Sequence, residues 1–442
     1  MYPVLWRLPL PAWALPLSPA LVVLAFVGVL LVLLGWRYRS TDLTLIGGLA
    51  ALGGSGAAIA FKGQLTTLTE LPVTSYGAML CLALLVGWYL TMTLGQRDGL
   101  PRDLLASCFF VAALSGFVGA RALYVITNWG DITSLGDAVN ARRGGLTGYG
   151  ALVGGFLGSL WFLQRRKQSI WTWADVVTPS LALGVVVVRL GCYLLGSDFG
   201  QPLGAGAPEW LKRLGTFPHW PANIFDGTGA PAWVLHVSRG LIALDAEHSL
   251  PVHPTELYEA LAGMGLVALC VVGRRWQRGQ LFCAWIFAYG TVRWVIDAWR
   301  DDPEQGRVGP YLALHHYLPL GLLGLGLAWA AGPAEVISRP RARRAAQALG
   351  LLPAIVAYWL LVPPAFAPAQ SVQVSISQWI GWVTALLGAV AFRWLLVGTA
   401  VRAAPAASVR GPVDATEPSG PGVSASAERR KKPHQRRSHR AG

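Results

Sequence analysis

The amino-acid sequence predicts an all-α, polytopic membrane protein. Of its 442 residues, 54% are hydrophobic and 13% are charged, whereas about a quarter of the residues in an average soluble domain are charged. Apolar runs of membrane-spanning length, about 20 residues each, recur along most of the chain. Because backbone polar groups find no water inside a bilayer, these runs must be helices. A soluble enzyme is therefore excluded.

Apolar windows bounded by charged residues, Pro or Gly predict about eleven spans. The first run is too long for a signal peptide and lacks the charged segment that precedes one, so we expect it to stay as an anchor. The predicted spans are Leu17 to Trp36, Leu43 to Phe61, Val73 to Leu94, Leu104 to Ile126, Gly145 to Leu163, Trp173 to Leu195, Leu257 to Val272, Leu281 to Trp299, Tyr317 to Ala331, Leu349 to Phe366 and Ile376 to Leu396.

Clusters of Arg and Lys alternate between successive loops, which predicts the orientation in the membrane. The richly basic loops, such as 165–167 and 339–344, and the C-terminal tail are expected in the cytoplasm. The N-terminus and the long segment 196–252 then face outward. That segment carries Trp210, Trp220 and Trp233, which is typical of an interfacial element over a lipid entrance or of ordinary interfacial padding.

Four regions follow from this pattern: two N-terminal helices in 1–70, a membrane core in 71–335, two C-terminal helices in 336–400, and a basic tail in 401–442. The tail is rich in Ala, Pro, Ser and Gly, so we expect it to be disordered and to lie on anionic membrane lipids. Nucleic-acid binding by the tail is the alternative, but no nucleic-acid partner is expected. The five cysteines form no CxxC pair, which argues against disulfides and zinc sites.

Few ionisable residues lie inside the predicted spans, and a charge at that depth costs several kcal/mol. In the segment FAYGTVRWVIDAWR, Tyr289, Arg293, Asp297 and Arg300 recur at helical spacing and share one face. That face must look into protein or water. A structural Arg293–Asp297 pair that joins helices is the alternative.

Arg189 lies in a second span, one to two turns before its outward end, with Gly191 and Gly196 close by. We expect Arg189 and Arg293 to be unpaired and to share an anion. Because guanidinium groups present a planar fork of donors, two of them predict a site for a lipid phosphodiester. A structural role for Arg189, with Glu259 as its partner, is the alternative.

The segment HPTELYEA opens a span directly after the long outer segment, with Thr255 expected to cap the helix. His253, Tyr258 and Glu259 come together there, where a base or a headgroup contact would be useful. Two further segments place Tyr149 after a Gly-Gly pair and Tyr76 at a helix start. Helix packing and anchoring at the membrane interface are their ordinary roles.

In order, these motifs resemble the prolipoprotein diacylglyceryl transferase family. The matching segments are the Tyr-Gly at Tyr76, Gly-x-Arg at Arg121, Gly-Gly before Tyr149, Arg-Leu-Gly at Arg189, His-Pro-x-x-Leu-Tyr-Glu from His253 and Tyr-Gly-x-x-Arg at Tyr289. The similarity covers roughly residues 71–331. It implies a seven-helix enzyme of the bacterial inner membrane that moves the diacylglyceryl group of phosphatidylglycerol onto the lipobox cysteine of a prolipoprotein signal peptide. It implies no metal and no cofactor.

The resemblance also implies roles for individual residues. Arg189 and Arg293 would hold the phosphate and stabilise the leaving glycerol phosphate. The catalytic set implied is Arg293, Arg189, Tyr289, Tyr149 and His253, and the substrate-binding set is Tyr76, Arg121, Gly145, Asp198, Tyr258, Glu259, Asp297 and Arg300.

The chain departs from the family pattern at several site positions. The family's histidine is Tyr149, its signature asparagines align with Cys192 and Leu195, and its signature glutamate aligns with Ser197. Asp198, one residue further on, is a candidate replacement for that glutamate. These departures keep two alternatives open: a paralogue with a changed or lost reaction on a glycerophospholipid, and a transporter for an anionic solute.

Overall fold

Helices dominate the part of the chain that the structure, a computed structural model, describes. Two compact units are distinguished, Met1–Val397 and Gly398–Gly442, and in the second the description covers the helical residues 398–403. The predicted tail from 404 onward and most of the two predicted N-terminal spans lie outside the described residues. The structure describes residues 4–9, 26–30, 32–33, 35, 47–48, 70–132, 145, 147–204, 206–219, 229–301, 306–362 and 371–403.

The all-α prediction is confirmed. The helices are α1 (Ser75–Arg97), α2 (Arg102–Thr127), α3 (Gly148–Arg165), α4 (Ile170–Leu195), α5 (Glu209–Leu214), α6 (Pro231–Ser238), α7 (Thr255–Gly273), α8 (Gln280–Ile296), α9 (Leu314–Ala331), α10 (Pro340–Leu361) and α11 (Ile376–Ala403). Within the described ranges, four short strands accompany them: β1 (Val4–Pro9), β2 (Glu70–Thr74), β3 (Arg307–Ala313) and β4 (Ser371–Ser375).

Nine of the predicted spans coincide with described helices. Among the described residues, seven helices are long and apolar enough to cross a membrane: α1, α2, α4, α7, α9 with the short turn that follows it, α10 and α11. Helix α8 is apolar but has 17 residues, and α3 is not among the seven. A multi-pass membrane protein follows from these helices.

The strands were not predicted, and one pair of them reveals the topology of the C-terminal helices. Strand β3 follows α8, β4 precedes α11, and the two strands pair antiparallel. Helices α9 and α10 therefore form a helical hairpin, which begins after β3 and ends before β4. A Cβ atom on Gly326 of α9 would lie 2.4 Å from the carbonyl oxygen of Gly350 on α10, so the two helices are in backbone contact.

Small residues also bring other helix pairs into close contact, as is common in membranes. A Cβ atom on Gly119 of α2 would lie 2.4 Å from the carbonyl oxygen of Gly150 on α3. The Gly-rich segment around Tyr149 is thus a packing surface. A Cβ atom on Gly290 of α8 would lie 2.4 Å from the carbonyl oxygen of Gly381 on α11. Helix α11 consequently runs directly against α8.

The 196–252 segment has a small hydrophobic core of its own, formed by Phe199, Phe217, Trp233 and Val252. Trp233 is 4% exposed, and its indole N–H donates to the Ala246 carbonyl at 2.8 Å. Trp233 therefore belongs to this local core rather than to a surface that faces lipid. Trp210 is exposed, and Trp220 lies outside the described residues.

We call the folded 196–252 segment the cap, and we expect His236 to make it sensitive to acid. The imidazole is fully buried, and its Nδ1 accepts the Leu250 backbone N–H at 3.2 Å. Burial lowers the pKa of His236; Arg239 adds to this effect and Asp301 opposes it. The folded cap thus binds fewer protons than the unfolded one, and its stability falls as pH drops below the ordinary histidine value of about 6.5.

We expect hydrogen-exchange protection of residues 229–252 to decrease between neutral and mildly acidic pH. His236→Gln keeps an acceptor but does not titrate, so protection in that variant should hardly change with pH. An equal loss of protection in both proteins would assign the acid sensitivity to another group.

Candidate functional site

Six charged side chains meet at one end of the long helices. Arg189 comes from α4, Glu259 from the first turns of α7, and Arg293 from the end of α8. Asp297 caps the C-terminus of α8. We call the set Arg189, Glu259, Arg293, Asp297, Arg300 and Asp198 the charge ring.

Guanidinium and carboxylate groups alternate around the ring. Glu259 bridges two arginines, with 2.7 Å from Oε2 to Nε of Arg189 and 2.6 Å from Oε1 to Nη1 of Arg293. Asp297 lies 3.2 Å from Nη2 of Arg293 and 3.5 Å from Nη1 of Arg300. Asp198 closes the ring between Nη2 of Arg300 and Nη1 of Arg189, the latter at 2.7 Å.

The expectation of unpaired arginines is therefore wrong. Three positive and three negative groups sum to zero, and each arginine of the ring contacts two carboxylates. The physical reason is the cost of isolated charges in a medium of low polarity, which close counter-charges reduce. The alternative pairing of Arg189 with Glu259 is present, and so is the Arg293–Asp297 pair.

Burial is uneven around the ring. The side chains of Glu259, Arg293, Asp297 and Arg300 are at most 7% exposed, whereas Arg189 is 16% and Asp198 is 24% exposed. An incoming molecule thus meets the ring first at the edge formed by Arg189 and Asp198.

Asp198 reaches the ring from the turn after α4. Its backbone has a φ of 64°, in the left-handed region that aspartate tolerates better than most residues. The Thr255 hydroxyl donates to the Asp198 carbonyl, so Thr255 ties down this turn and does not cap α7, whose N-cap is Pro254. Gly200 pairs with Arg300 in an isolated bridge, which holds the turn beside the end of α8.

The charges around Asp198 keep it ionised. Burial raises the pKa of its carboxyl, but Arg189 and Arg300 together outweigh that effect and bring the pKa below its ordinary range. Cys192, one turn along α4 from Arg189, is buried close to Asp198 and also lowers the pKa of its carboxyl.

Tyr149 joins the site through a residue that the sequence motifs did not single out. Its hydroxyl lies 2.7 Å from Oγ of Ser377 and donates to the Ser377 carbonyl at 3.2 Å. The Ser377 hydroxyl also accepts from Nη2 of Arg293 at 2.6 Å. Ser377 is the second residue of α11. The only sequence signal was the Ser-x-x-Gln pattern of residues 375–378, which marks a helix start.

Two other predicted tyrosines lie close to the ring. Tyr289 is one turn before Arg293 on α8, and its ring stacks flat on Trp285 with centroids 5.2 Å apart. Tyr76 begins α1 next to α4, since a Cβ atom on Gly191 would lie 3.5 Å from the Tyr76 Cα.

The remaining predicted residues form two separate contacts. The imidazole Nδ1 of His253 lies 3.2 Å from the Tyr258 hydroxyl, and the rings meet edge to face. Arg121 donates to the Gly145 carbonyl at 2.9 Å and lies over the Tyr124 ring. The contacts described for His253 and Arg121 therefore do not link them to the ring.

The chain resembles known lipid-modifying enzymes over most of its length. Residues 64–362 match the family model described as prolipoprotein diacylglyceryl transferase. A phosphatidylglycerol–prolipoprotein diacylglyceryl transferase of Deinococcus radiodurans is 28% identical over 281 residues, which cover 57% of this chain and 75% of that protein. The enzyme of the same name from Bacillus cereus is 27% identical over 263 residues, covering 59% and 87%.

The ring should contribute to stability far more than an exposed ion pair does. Glu259→Gln leaves two buried guanidinium groups without their shared counter-charge, which costs about 3–5 kcal/mol of unfolding free energy. The control is Arg239→Ala, because Arg239 pairs with Asp301 at the surface and its side chain is 42% exposed. Loss of such a pair costs about 1 kcal/mol or less.

Thermal unfolding of the purified variants in detergent compares the two losses. We expect a markedly lower Tm for Glu259→Gln and a nearly unchanged Tm for Arg239→Ala. Similar shifts in both variants would show that the ring does not hold the helices together.

Proposed function

The chain belongs to the prolipoprotein diacylglyceryl transferase family, and we propose that it transfers the diacylglyceryl group of phosphatidylglycerol to the cysteine of a prolipoprotein. The observation that carries this proposal is the charge ring. Three arginines converge at the end of apolar helices, where a lipid headgroup lies, and guanidinium groups bind phosphate oxygens in pairs.

The phosphate binds at the more exposed edge of the ring. There the Asp198 carboxylate bridges Arg189 and Arg300, as one phosphodiester group would do. Because the charges of the ring sum to zero, an additional anion would leave the site with a net negative charge. The phosphate therefore takes the place of the Asp198 carboxylate. Asp198 is suited to leave, because it sits on a turn outside the helices and has the most exposed side chain of the six.

Group transfer at this site joins the cysteine sulfur to a glycerol carbon. The new carbon–sulfur bond replaces the bond between that carbon and a phosphate oxygen, and glycerol phosphate leaves. The thiol proton passes to a base or to the leaving group. The guanidinium groups of Arg189 and Arg300 hold the departing phosphate and stabilise the negative charge that grows on it, and Arg293, joined to Arg189 through Glu259, contributes its positive charge from the next position in the ring.

We assign roles to the other site residues from their positions around the ring. Tyr149 stands where the family has a histidine and is connected to Arg293 through one side chain, which supports a place beside the reacting atoms. Tyr289 and Asp297 order Arg293. Tyr76, Tyr258 and His253 lie around the approach of the headgroup, and Arg121 with Gly145 supports the α2–α3 pair.

The acceptor is the signal peptide of a prolipoprotein, with the lipobox cysteine presented from the membrane. We place the charge ring and the 196–252 cap at the outer face of a bacterial inner membrane, with the basic loops and the C-terminal tail in the cytoplasm. This placement agrees with the alternation of basic loops along the sequence. It puts both substrates, a phospholipid and a membrane-held peptide, at the depth of the ring.

Transfer is tested with the purified protein in phosphatidylglycerol nanodiscs and a lipobox peptide, read by mass spectrometry. We expect a peptide heavier by one diacylglyceryl group together with free glycerol phosphate. Arg189→Ala and Arg293→Ala should each lower the rate by about a hundredfold or more, as for loss of a group that stabilises transition-state charge.

Arg274→Ala is the matched control, since Arg274 pairs with Asp98 at the other end of the helices, and it should keep the wild-type rate. A wild-type protein that binds phosphatidylglycerol but modifies no peptide would favour the paralogue with a changed reaction. Solute uptake by vesicles would favour the transporter.

Replacement of Asp198 tests the competition between carboxylate and phosphate. Asp198→Asn keeps the shape but removes the charge, so we expect tighter binding of phosphatidylglycerol together with a lower Tm. Lipid affinity is measured in nanodiscs that contain phosphatidylglycerol in a neutral lipid background. Unchanged affinity would mean that the phosphate does not take the place of Asp198.

A further inference from the structure

Ser377 lies beyond residues 64–362, the range that matches the family, yet it is part of the site. Its side chain is buried and contacts two groups that the proposed function uses. Arg293 donates to the Ser377 hydroxyl at 2.6 Å, and that hydroxyl lies 2.7 Å from the hydroxyl of Tyr149.

The directions of these hydrogen bonds follow from the chemistry of the groups. A guanidinium only donates, so Oγ of Ser377 accepts from Arg293. The Tyr149 hydroxyl donates to the Ser377 carbonyl, which leaves its oxygen free to accept the Ser377 hydroxyl hydrogen. The result is a continuous chain from Arg293 through Ser377 to the oxygen of Tyr149, and a charged donor at its head strengthens each bond.

A capping box formed by Ser375 and Gln378 fixes the start of α11. Ser375 and Gln378 exchange hydrogen bonds of 3.0 Å, from the Ser375 N–H to the Gln378 side chain and from the Gln378 N–H to the Ser375 hydroxyl. The Gln378 amide also donates to the Trp294 carbonyl, next to Arg293, at 3.3 Å.

Close packing of α11 on α8 further restricts the position of Ser377. A Cβ atom on Gly381 would lie 3.4 Å from the Cβ of Arg293, so α11 passes directly beside the arginine. Ser377 therefore has little freedom to move relative to Arg293.

We propose that Ser377 is a positioning residue of the transferase reaction, which holds the Tyr149 hydroxyl at a set distance from the Arg293 guanidinium. This inference rests on the proposed function and assigns to α11 a part in it. Without the Ser377 hydroxyl, Arg293 keeps Glu259 and Asp297 as partners, and Tyr149 keeps its bond to the Ser377 carbonyl but loses its connection to the ring.

The test is a double-mutant cycle of the wild type, Ser377→Ala, Tyr149→Phe and the double variant, assayed for transfer to a lipobox peptide. We expect each single change to lower the transfer rate about tenfold or more, because Ser377→Ala releases and Tyr149→Phe removes the same tyrosine hydroxyl, and misplaced groups at a reaction centre lower the rate. The double variant should be no slower than the slower single one, because both changes break one connection. A wild-type rate in Ser377→Ala, or losses that multiply, would overturn the proposal.

Further variants distinguish a positioning role of Ser377 from a contribution to stability alone. Thr384→Ala removes another α11 hydroxyl, one that bonds carbonyls of its own helix, and should leave the rate unchanged. If Ser377→Ala does not fold, Ser377→Thr and Ser377→Val differ only in the hydroxyl, and the proposal requires the Thr variant to be the faster. Equal rates would overturn it.

If the wild type transfers nothing, the proposed function fails, and the same cycle is read through phosphatidylglycerol affinity in nanodiscs. Coupling between Ser377 and Tyr149 in that affinity supports the positioning role, and independence contradicts it.

Discussion

The alternation of three guanidinium and three carboxylate groups is the interaction on which the rest of the structure depends. At the depth of the ring an isolated charge is far more costly than in water, so each arginine is stable there only with its carboxylates. Glu259 illustrates the consequence, since it joins α7 to both α4 and α8 through Arg189 and Arg293. The same contacts that keep the charges paired also fix the relative positions of α4, α7 and α8.

The proposed function requires the site to bind its substrate by exchange. Its arginines are already occupied, so the binding energy of a phosphate would be reduced by the carboxylate that it releases. Such a site would discriminate, because a neutral headgroup cannot replace Asp198 between two arginines. The core of the cap and the bridge from Gly200 to Arg300 hold the backbone of the turn that carries Asp198.

Much of this arrangement could be predicted from the sequence, for physical reasons that also explain the failures. Apolar length defined the spans, and helical spacing placed Arg293 and Asp297 on one face, where they pair at 3.2 Å. The roles of Asp198 and Ser377 could not be read in the same way. The first depends on the conformation of one turn, and the second joins groups 84 residues apart. The burial of Trp233 could not be predicted either, because an aromatic residue in a segment between spans can face lipid or a local core with the same sequence pattern.

The most direct test is a cryo-electron microscopy structure of the wild-type protein in nanodiscs that contain phosphatidylglycerol. We expect the lipid phosphate within hydrogen-bonding distance of Arg189 and Arg300, with the Asp198 carboxylate withdrawn from both, while Glu259 remains between Arg189 and Arg293. A phosphate bound elsewhere, with Asp198 still bridging its two arginines, would contradict the claim that the charge ring binds the substrate by exchange.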